Sequence, residues 1–228
     1  MTTLPVNRIG VDLASETTLD RLELRTAGAG LVLGINQQTA PVTARLFRPE
    51  PTRTMLVGGL KCAQLIAFRA LGLGARLTVR SARLGTWETF IRGTGVLPHE
   101  VDLLTPGASA DRPTSAAKPQ LVVQDTGSSA DEHDYRDGGG WRATLTVREE
   151  LTAWDIDALV RADLAIMQPL AETEAALAAS ALHMASIQQW ISQIREDMVT
   201  LINRGTARWA LLSPTQIERN LIGHPTRR

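Results

Sequence analysis

Cysteine is almost absent from this 228-residue sequence, in which Cys62 is the only example. A single thiol cannot form a disulfide framework or a cysteine-rich metal site. Cys62 is followed by alanine in a segment with helical spacing, so we expect it to be a small core residue. The sequence therefore does not belong to the class of small domains held together by disulfides.

Long hydrophobic runs are also missing. No stretch approaches the roughly 18–20 apolar residues that a membrane helix needs. The amino-terminal residues show neither the basic region nor the apolar region of a secretory signal. We therefore expect a soluble, cytoplasmic protein without a membrane segment of its own, so that any membrane association would come through a partner.

The sequence has no excess of either charge, because 24 Lys and Arg residues balance 24 Asp and Glu residues. This balance argues against a strongly basic domain that binds nucleic acid. Almost all the basic residues are arginine, and only Lys61 and Lys118 are lysine. A local basic edge formed by Arg76, Arg80 and Arg83 remains open as a DNA contact.

The segment 54–72 is the central feature of what is present. Met55-Leu-Val57 has no polar face, as expected for a strand that is covered on both sides. Gly58 and Gly59 follow as a turn, and the apolar residues from Leu60 onward have helical spacing. Strand, glycine turn and helix together form the unit on which phosphate-binding folds are built.

Further elements follow from periodicity and from turn residues. Hydrophobic content is 43%, which is enough for a sizeable core. The strand at 76–80 should run parallel to the strand at 55–57, because a helix connects them. The other predicted strands are 31–35, 42–47, 98–104, 120–125, 141–147, 162–167, 198–202 and 207–212. The other predicted helices are 85–91, 152–159, 173–182, 186–194 and a last short one opening at 213, in which Pro214 suits the first position.

These elements predict an α/β fold with a mostly parallel central sheet flanked by helices and with antiparallel hairpins at the amino- and carboxyl-terminal sides. We expect one domain over 30–222, with flexible loops near 105–118 and 126–140. Residues 1–29 are expected to be an amino-terminal extension, and 223–228 a tail.

The glycine turn lacks the residues that hold a phosphate. A phosphate loop requires the spacing G-x-x-x-x-G-K-[ST], in which lysine reaches the β and γ oxygens and the hydroxyl holds Mg²⁺. Counted from Gly58, these positions are Ala63, Gln64 and Leu65, and Lys61 comes too early. The start of the helix still offers unpaired N–H groups, which leaves weak anion binding open.

Asp125 ends a buried strand, where a metal-coordinating acid stands in many nucleotide-binding folds. Thr126 follows it, in place of a glutamate base, and an aspartate at a strand end is also ordinary turn chemistry. The acidic cluster from Asp131 to Asp137 has no metal-ligand spacing, so we interpret it as a solvated loop. The candidate residues of a degenerate nucleotide site are therefore Gly58, Gly59, Lys61 and Asp125, with no catalytic residue, no metal and no cofactor expected.

Three stretches carry a resemblance to a known family. Residues 33–43 (LGINQQTAPVT), 162–170 (ADLAIMQPL, followed by EAALA) and 197–209 (DMVTLINRGTARW) resemble parts of the P-loop ATPase core of the FtsK/HerA class. The closest likeness is to the degenerate ATPase modules of type VII secretion systems. The resemblance covers roughly 30–222 and implies a P-loop NTPase-like fold, together with a place in an actinobacterial secretion gene cluster.

Three functions remain open at this stage. The first is a non-catalytic scaffold or interaction protein, a pseudo-ATPase that binds protein partners such as a secretion-system ATPase or a membrane component. The second is a nucleotide-binding or ATP-hydrolysing enzyme with a non-standard phosphate loop. The third is a DNA-associated, FtsK-like module. The sequence leaves a homo-oligomer open in each case.

Overall fold

The computed structural model describes residues 30–108, 112–127 and 139–227. The predicted extension 1–29 and the acidic cluster from Asp131 to Asp137 lie outside these ranges. Within them, ten strands form one sheet in the order β2-β1-β10-β9-β8-β3-β7-β6-β4-β5. The strands are β1 (Leu31–Ile35), β2 (Pro41–Ala44), β3 (Thr52–Val57), β4 (Arg76–Ser81), β5 (Val101–Leu104), β6 (Gln120–Asp125), β7 (Arg142–Arg148), β8 (Leu164–Met167), β9 (Met198–Asn203) and β10 (Thr206–Leu211).

Helices connect most of the strands and cover the sheet. They are α1 (Leu60–Gly72), α2 (Leu84–Thr94), α3 (Ile156–Arg161), α4 (Glu172–Ala181), α5 (Gln188–Gln193) and α6 (Gln216–Ile222). Short 3₁₀ turns precede β5, α3 and α5 at Pro98–Glu100, Ala153–Asp155 and Ala185–Ile187. No described helix is long and apolar enough to cross a bilayer.

The larger part of the sheet is parallel. Strands β8, β3, β7, β6, β4 and β5 run in the same direction. The predicted parallel relation between β3 and β4 is confirmed, although β7 and β6 lie between them. The end of β3 therefore opens at the carboxyl edge of the sheet with parallel strands on both sides, which is where open α/β sheets bind ligands.

The antiparallel part forms one edge of the sheet. Strands β1 and β2 form one hairpin, β9 and β10 form another, and Ile35 of β1 pairs with Leu211 of β10. The two hairpins predicted from opposite ends of the sequence therefore lie together. The predicted fold class, a mostly parallel sheet flanked by helices with antiparallel hairpins, is confirmed.

Two apolar layers enclose the sheet, and β3 contributes to both. Leu56 packs on the side of α1 and α2, whereas Met55 and Val57 pack on the side of α3, α4 and α5. The prediction that this strand is covered on both faces is thus confirmed. Cys62 lies in the first layer, and burial raises the pKa of its thiol to about 12, as expected for an inert core residue.

Several boundaries differ from the sequence prediction; for example, the strand predicted at 42–47 ends at Ala44. Two of the differences have a clear physical cause. The helix α6 starts at Gln216, so Pro214 precedes the helix and does not occupy its first position. The reason is a capping box, in which Thr215 Oγ1 accepts from the Glu218 N–H while Glu218 accepts from the Thr215 N–H. The predicted strand at 98–104 is shorter, because Pro98 begins a 3₁₀ turn.

Candidate functional site

The Gly58–Gly59 turn lies at the carboxyl end of β3, directly before α1. Both of its N–H groups are already used within the protein. Gly58 donates to the Arg148 carbonyl at 2.8 Å, and Gly59 donates to Gln168 Oε1 at 2.7 Å. In a phosphate loop such N–H groups point at the ligand. Here they bind the ends of β7 and β8.

The carboxyl-terminal segment of the chain passes directly over this turn. A Cβ atom built on Gly59 would lie 2.7 Å from the Thr226 carbonyl oxygen and 2.9 Å from that of Arg227. The amide of Gln168 also holds the segment, because its Nε2 donates to the Pro225 carbonyl at 2.5 Å. Glycine is therefore required at 59 by the close approach of the segment, which we call the tail strap (residues 223–227).

Arg227 fixes the tail strap with every donor of its guanidinium. Nε and Nη2 donate to the Glu149 carbonyl at 2.9 and 2.6 Å, and Nη1 donates to the Pro169 carbonyl at 2.8 Å. The same Nη1 and Nη2 donate to the two oxygens of Glu174 at 2.8 and 2.5 Å. Such a bidentate pair is the strongest geometry that arginine forms with a carboxylate.

The Glu174 carboxylate accepts hydrogen bonds from several parts of the protein. It also accepts from the N–H groups of Leu151 and Ala171, each at 2.8 Å. Burial opposes ionisation of this carboxyl, but Arg227 and the two N–H donors outweigh it and hold the pKa below its usual value. Glu174 is therefore a charged group that joins the start of α4 to the tail strap.

Lys61 lies in the first turn of α1 and is exposed. Its Nζ is 3.5 Å from the point where a Cβ of Gly223 would lie. The side chain thus lies along the tail strap at its entry. Of the four candidate residues, Gly58, Gly59 and Lys61 are brought together at one place, under the tail strap.

Asp125 is buried at the end of β6, in a network of its own. Its carboxylate accepts from Ser81 Oγ at 2.9 Å, Trp87 Nε1 at 2.8 Å, and Arg83 Nε and Nη2 at 2.8 and 2.7 Å. Three of these donors bind Oδ2 and one binds Oδ1, so most of the acceptor capacity of the carboxylate is used within the protein. The hydrogen bonds that Arg83 donates to Asp125, and to a lesser extent to Glu149, raise the pKa of Arg83 above its ordinary value. Asp125 is therefore the buried partner of an ion pair with a partly exposed arginine.

The basic edge considered for DNA is paired with acidic groups. Arg83 also donates to Glu149 at 2.5 Å, and Arg76 Nε lies 3.7 Å from Glu100. Arg80 also has an interaction partner within the protein. Arginines that are already paired with carboxylates, as Arg83 and Arg76 are, offer less to a phosphate backbone.

Sequence reasoning missed Gln168, Arg227, Glu174 and Arg83 as parts of the site. Gln168 directly follows a buried strand at the same sheet edge as the glycine turn, which is a usable signal. Arg227 has no such signal, because it lies beyond the last helix. No group of three His, Cys, Asp or Glu side chains suited to a metal occurs in the ranges that the structure covers.

A cleft of about 240 Å³ opens beside the tail strap. Its lining consists of Pro169, Leu170, Ala171, Glu196 and Arg227. The Arg227 side chain is 9% exposed and forms one wall of this cleft. Solvent can therefore reach the edge of the Arg227–Glu174 pair without unfolding of the core.

Comparison with known proteins gives structural matches only. No family model and no curated protein matches the sequence. The chain is similar to the genome-packaging NTPase B204 of Sulfolobus turreted icosahedral virus 2, solved with AMP, at 10% identity and a TM-score of 0.49 over 72% of this chain and 98% of that one. The complex of B204 with AMPPCP matches at 9% identity and a TM-score of 0.48 over 72% and 98%. The DNA-packaging ATPase B204 of Sulfolobus turreted icosahedral virus matches at 9% and 0.46 over 70% and 96%. Similarity at this level assigns no activity to the chain.

Proposed function

We propose that this protein is a non-catalytic scaffold or interaction protein built on a degenerate nucleotide-binding fold. The observation that supports this proposal most strongly is the position of the tail strap. It passes over Gly59, and the N–H groups of Gly58 and Gly59 are bonded to Arg148 and Gln168. The place where a phosphate loop would hold its ligand is filled by the chain itself.

The chemistry at the remaining positions supports the same conclusion. Phosphoryl transfer depends on a cation that reaches the β and γ phosphates and on ligands that hold Mg²⁺. Ala63, Gln64 and Leu65 stand at the phosphate-loop positions, and all three are buried. Asp125 is already bonded to Arg83, Trp87 and Ser81. The protein therefore keeps the strand, turn and helix of an NTPase-like site but lacks the lysine and hydroxyl that bind phosphate and Mg²⁺.

The proposal extends to the setting of the protein. We place it in the cytosol as a component of a type VII-like secretion machine of actinobacteria, in contact with the ATPase or a membrane component of that machine. The support is the resemblance of residues 33–43, 162–170 and 197–209 to degenerate modules of that system. Capture of partners from native lysate, followed by mass identification, tests this part: secretion components are expected, and their absence contradicts it.

Calorimetry combined with phosphate release tests the non-catalytic proposal. Pure protein is titrated with ATP, GTP and dinucleotides in the presence of Mg²⁺, and neither binding heat nor free phosphate is expected. The sequence has only two lysines, so Lys61→Ala and Lys118→Ala form a matched pair. Turnover that is lost in Lys61→Ala and kept in Lys118→Ala would overturn the proposal in favour of a nucleotide enzyme.

A duplex DNA binding assay at low salt distinguishes the proposed scaffold from a DNA-associated module, because phosphate contacts are strongest at low salt. No retention of duplex DNA is expected. Retention that falls steeply with added salt would support the DNA-associated module instead.

A further inference from the structure

We infer that the chain carries an arginine-reading peptide site, formed by Glu174, the carbonyls of Glu149 and Pro169, and Gln168, which its own tail strap occupies in cis. The class of ligand is an extended segment in which an arginine follows, two residues later, the residue whose backbone carbonyl is bound, as Arg227 follows Pro225 in the tail strap. This inference deepens the proposed function, because it names the chemistry of one interaction site on a non-catalytic protein.

The pocket matches a guanidinium group at every donor. Five N–H bonds are needed to satisfy arginine, and the five contacts of Arg227 with the Glu174 carboxylate and the two carbonyls supply them. A lysine ammonium is a compact charge without this planar fork, so it cannot reproduce the arrangement. The pocket therefore selects arginine over lysine.

A second contact sets the register of the segment. Gln168 is fully buried, and its amide accepts from Gly59 while donating to the Pro225 carbonyl. The distance between the two contacts corresponds to one residue between proline and arginine. The site therefore binds a backbone carbonyl of the segment through Gln168 and its arginine side chain through the pocket. Extended peptides are commonly bound by such a combination of main-chain and side-chain contacts.

Two features mark where exchange of the tail strap with another segment would begin. Gly223 separates the tail strap from α6 and has φ +82° and ψ −154°, a conformation that favours glycine. The adjoining cleft carries Glu196 as well as the edge of the Arg227–Glu174 pair. The cleft gives an incoming segment a path to the edge of the pocket.

Chemical rescue tests the pocket in the full-length chain. In Arg227→Ala, N-ethylguanidinium is expected to give saturable amide shifts at Gly59 and Leu151, and wild-type protein is expected to give none. N-ethylammonium has the same charge without the fork, and it should bind at least about tenfold more weakly. Equal responses to the two cations, or equal responses of variant and wild type, would overturn the inference.

Two further variants keep the test decisive. If Arg227→Ala does not fold, Arg227→Lys keeps the charge and removes the fork, and the same titration applies. Arg227→Ala combined with Glu174→Gln should lose the response to N-ethylguanidinium. A response that persists without the Glu174 carboxylate would contradict the assigned pocket.

The peptide pattern is tested with acetyl-Gly-His-Pro-Thr-Arg-amide, which copies the tail strap. Binding to Arg227→Ala is expected to be at least about tenfold tighter than to wild type, because the cis segment competes at an effective concentration near the millimolar range. A peptide with lysine at the last position should fail. Equal binding of the two peptides would remove the inference and leave the non-catalytic proposal standing, whereas ATP turnover would remove that proposal and leave the pocket.

Discussion

Gln168 and Gly59 are 109 residues apart in the chain, and the Gly59 N–H donates to Gln168 Oε1 at 2.7 Å. The other end of the same amide donates to the Pro225 carbonyl. One buried side chain therefore couples the glycine turn to the tail strap. These two hydrogen bonds hold the tail strap over the glycine turn. A single substitution at Gln168 should therefore weaken the attachment of the tail strap.

Replacement of Gln168 tests that coupling. Gln168→Ala leaves the buried Gly59 N–H without its acceptor, and an unsatisfied buried group costs about 1–3 kcal/mol. Urea unfolding should show this loss. The control is Gln189→Ala, because Gln189 is exposed on α5 and its replacement should leave the midpoint unchanged within error. Equal stability of Gln168→Ala and wild type would show that the amide does not hold the turn.

A methyl group on Gly59 tests the close approach of the tail strap. Gly59→Ala places Cβ 2.7 Å from the Thr226 carbonyl oxygen, so the backbone must shift at a cost of about 1–3 kcal/mol. Proteolysis of the tail strap should become faster. Gly85→Ala is the matched control, because no heavy atom lies within 4 Å of its new Cβ in α2. If both variants keep wild-type stability and protease resistance, the strap does not lie on the turn.

Replacement of Asp125 tests whether this residue has a structural role. Asp125→Ala removes the acceptor of Arg83, Trp87 and Ser81. Arg83 is partly exposed and can be solvated, whereas the buried Trp87 N–H loses its acceptor at a cost of about 1–3 kcal/mol. Thermal unfolding should detect this. Glu88→Ala breaks only an exposed pair with Arg92 and should change the melting temperature little. A stable Asp125→Ala protein would leave room for a functional role of this carboxylate.

The pH dependence of stability follows from Glu174 and Glu218. The Glu218 carboxyl, which pairs with Arg69, also has a pKa below its usual value, because Arg69 and Thr215 outweigh the cost of its burial. A lowered pKa means that the unfolded chain binds protons first as pH falls. Both contributions are complete well above the ordinary glutamate pKa of about 4.3 and disappear as pH falls through the lower folded values.

Urea midpoints from pH 7 down to pH 3 measure this effect. The wild-type midpoint should fall on acidification, and Glu174→Gln should be less stable at pH 7 with a shallower fall. Glu172→Gln changes an exposed carboxyl on the same helix and should keep the wild-type slope. A Glu174→Gln profile parallel to wild type would contradict ionisation of Glu174 in the folded protein.

Local patterns in the sequence predicted most of the fold. The apolar triplet at 55–57 and the helical spacing from Leu60 each report on residues close in the chain. The order of the strands across the sheet did not follow from them, because β6 and β7 insert between β3 and β4 through contacts distant in sequence. Local sequence patterns predicted the strands, the helices and the fold class. The order of the strands in the sheet depends on pairing between residues distant in sequence, which these patterns do not report.

The candidate site shows the same division. Gly58, Gly59 and Lys61 were found because they are adjacent in sequence, and they lie together. The partners of Asp125 come from the end of β4, the turn that follows it and α2, about forty residues earlier, so no spacing rule points to them. The tail strap reaches Gly59 from 167 residues away, counted from 59 to 226. Its arginine pocket therefore became visible only in three dimensions.

The most direct test of the closed site is a crystal structure of the full-length protein grown with excess Mg-ATP. The expected result is the tail strap over Gly58 and Gly59, with Arg227 on Glu174 and no nucleotide at the turn. A triphosphate seated against the two glycines, with the tail strap displaced, would contradict it.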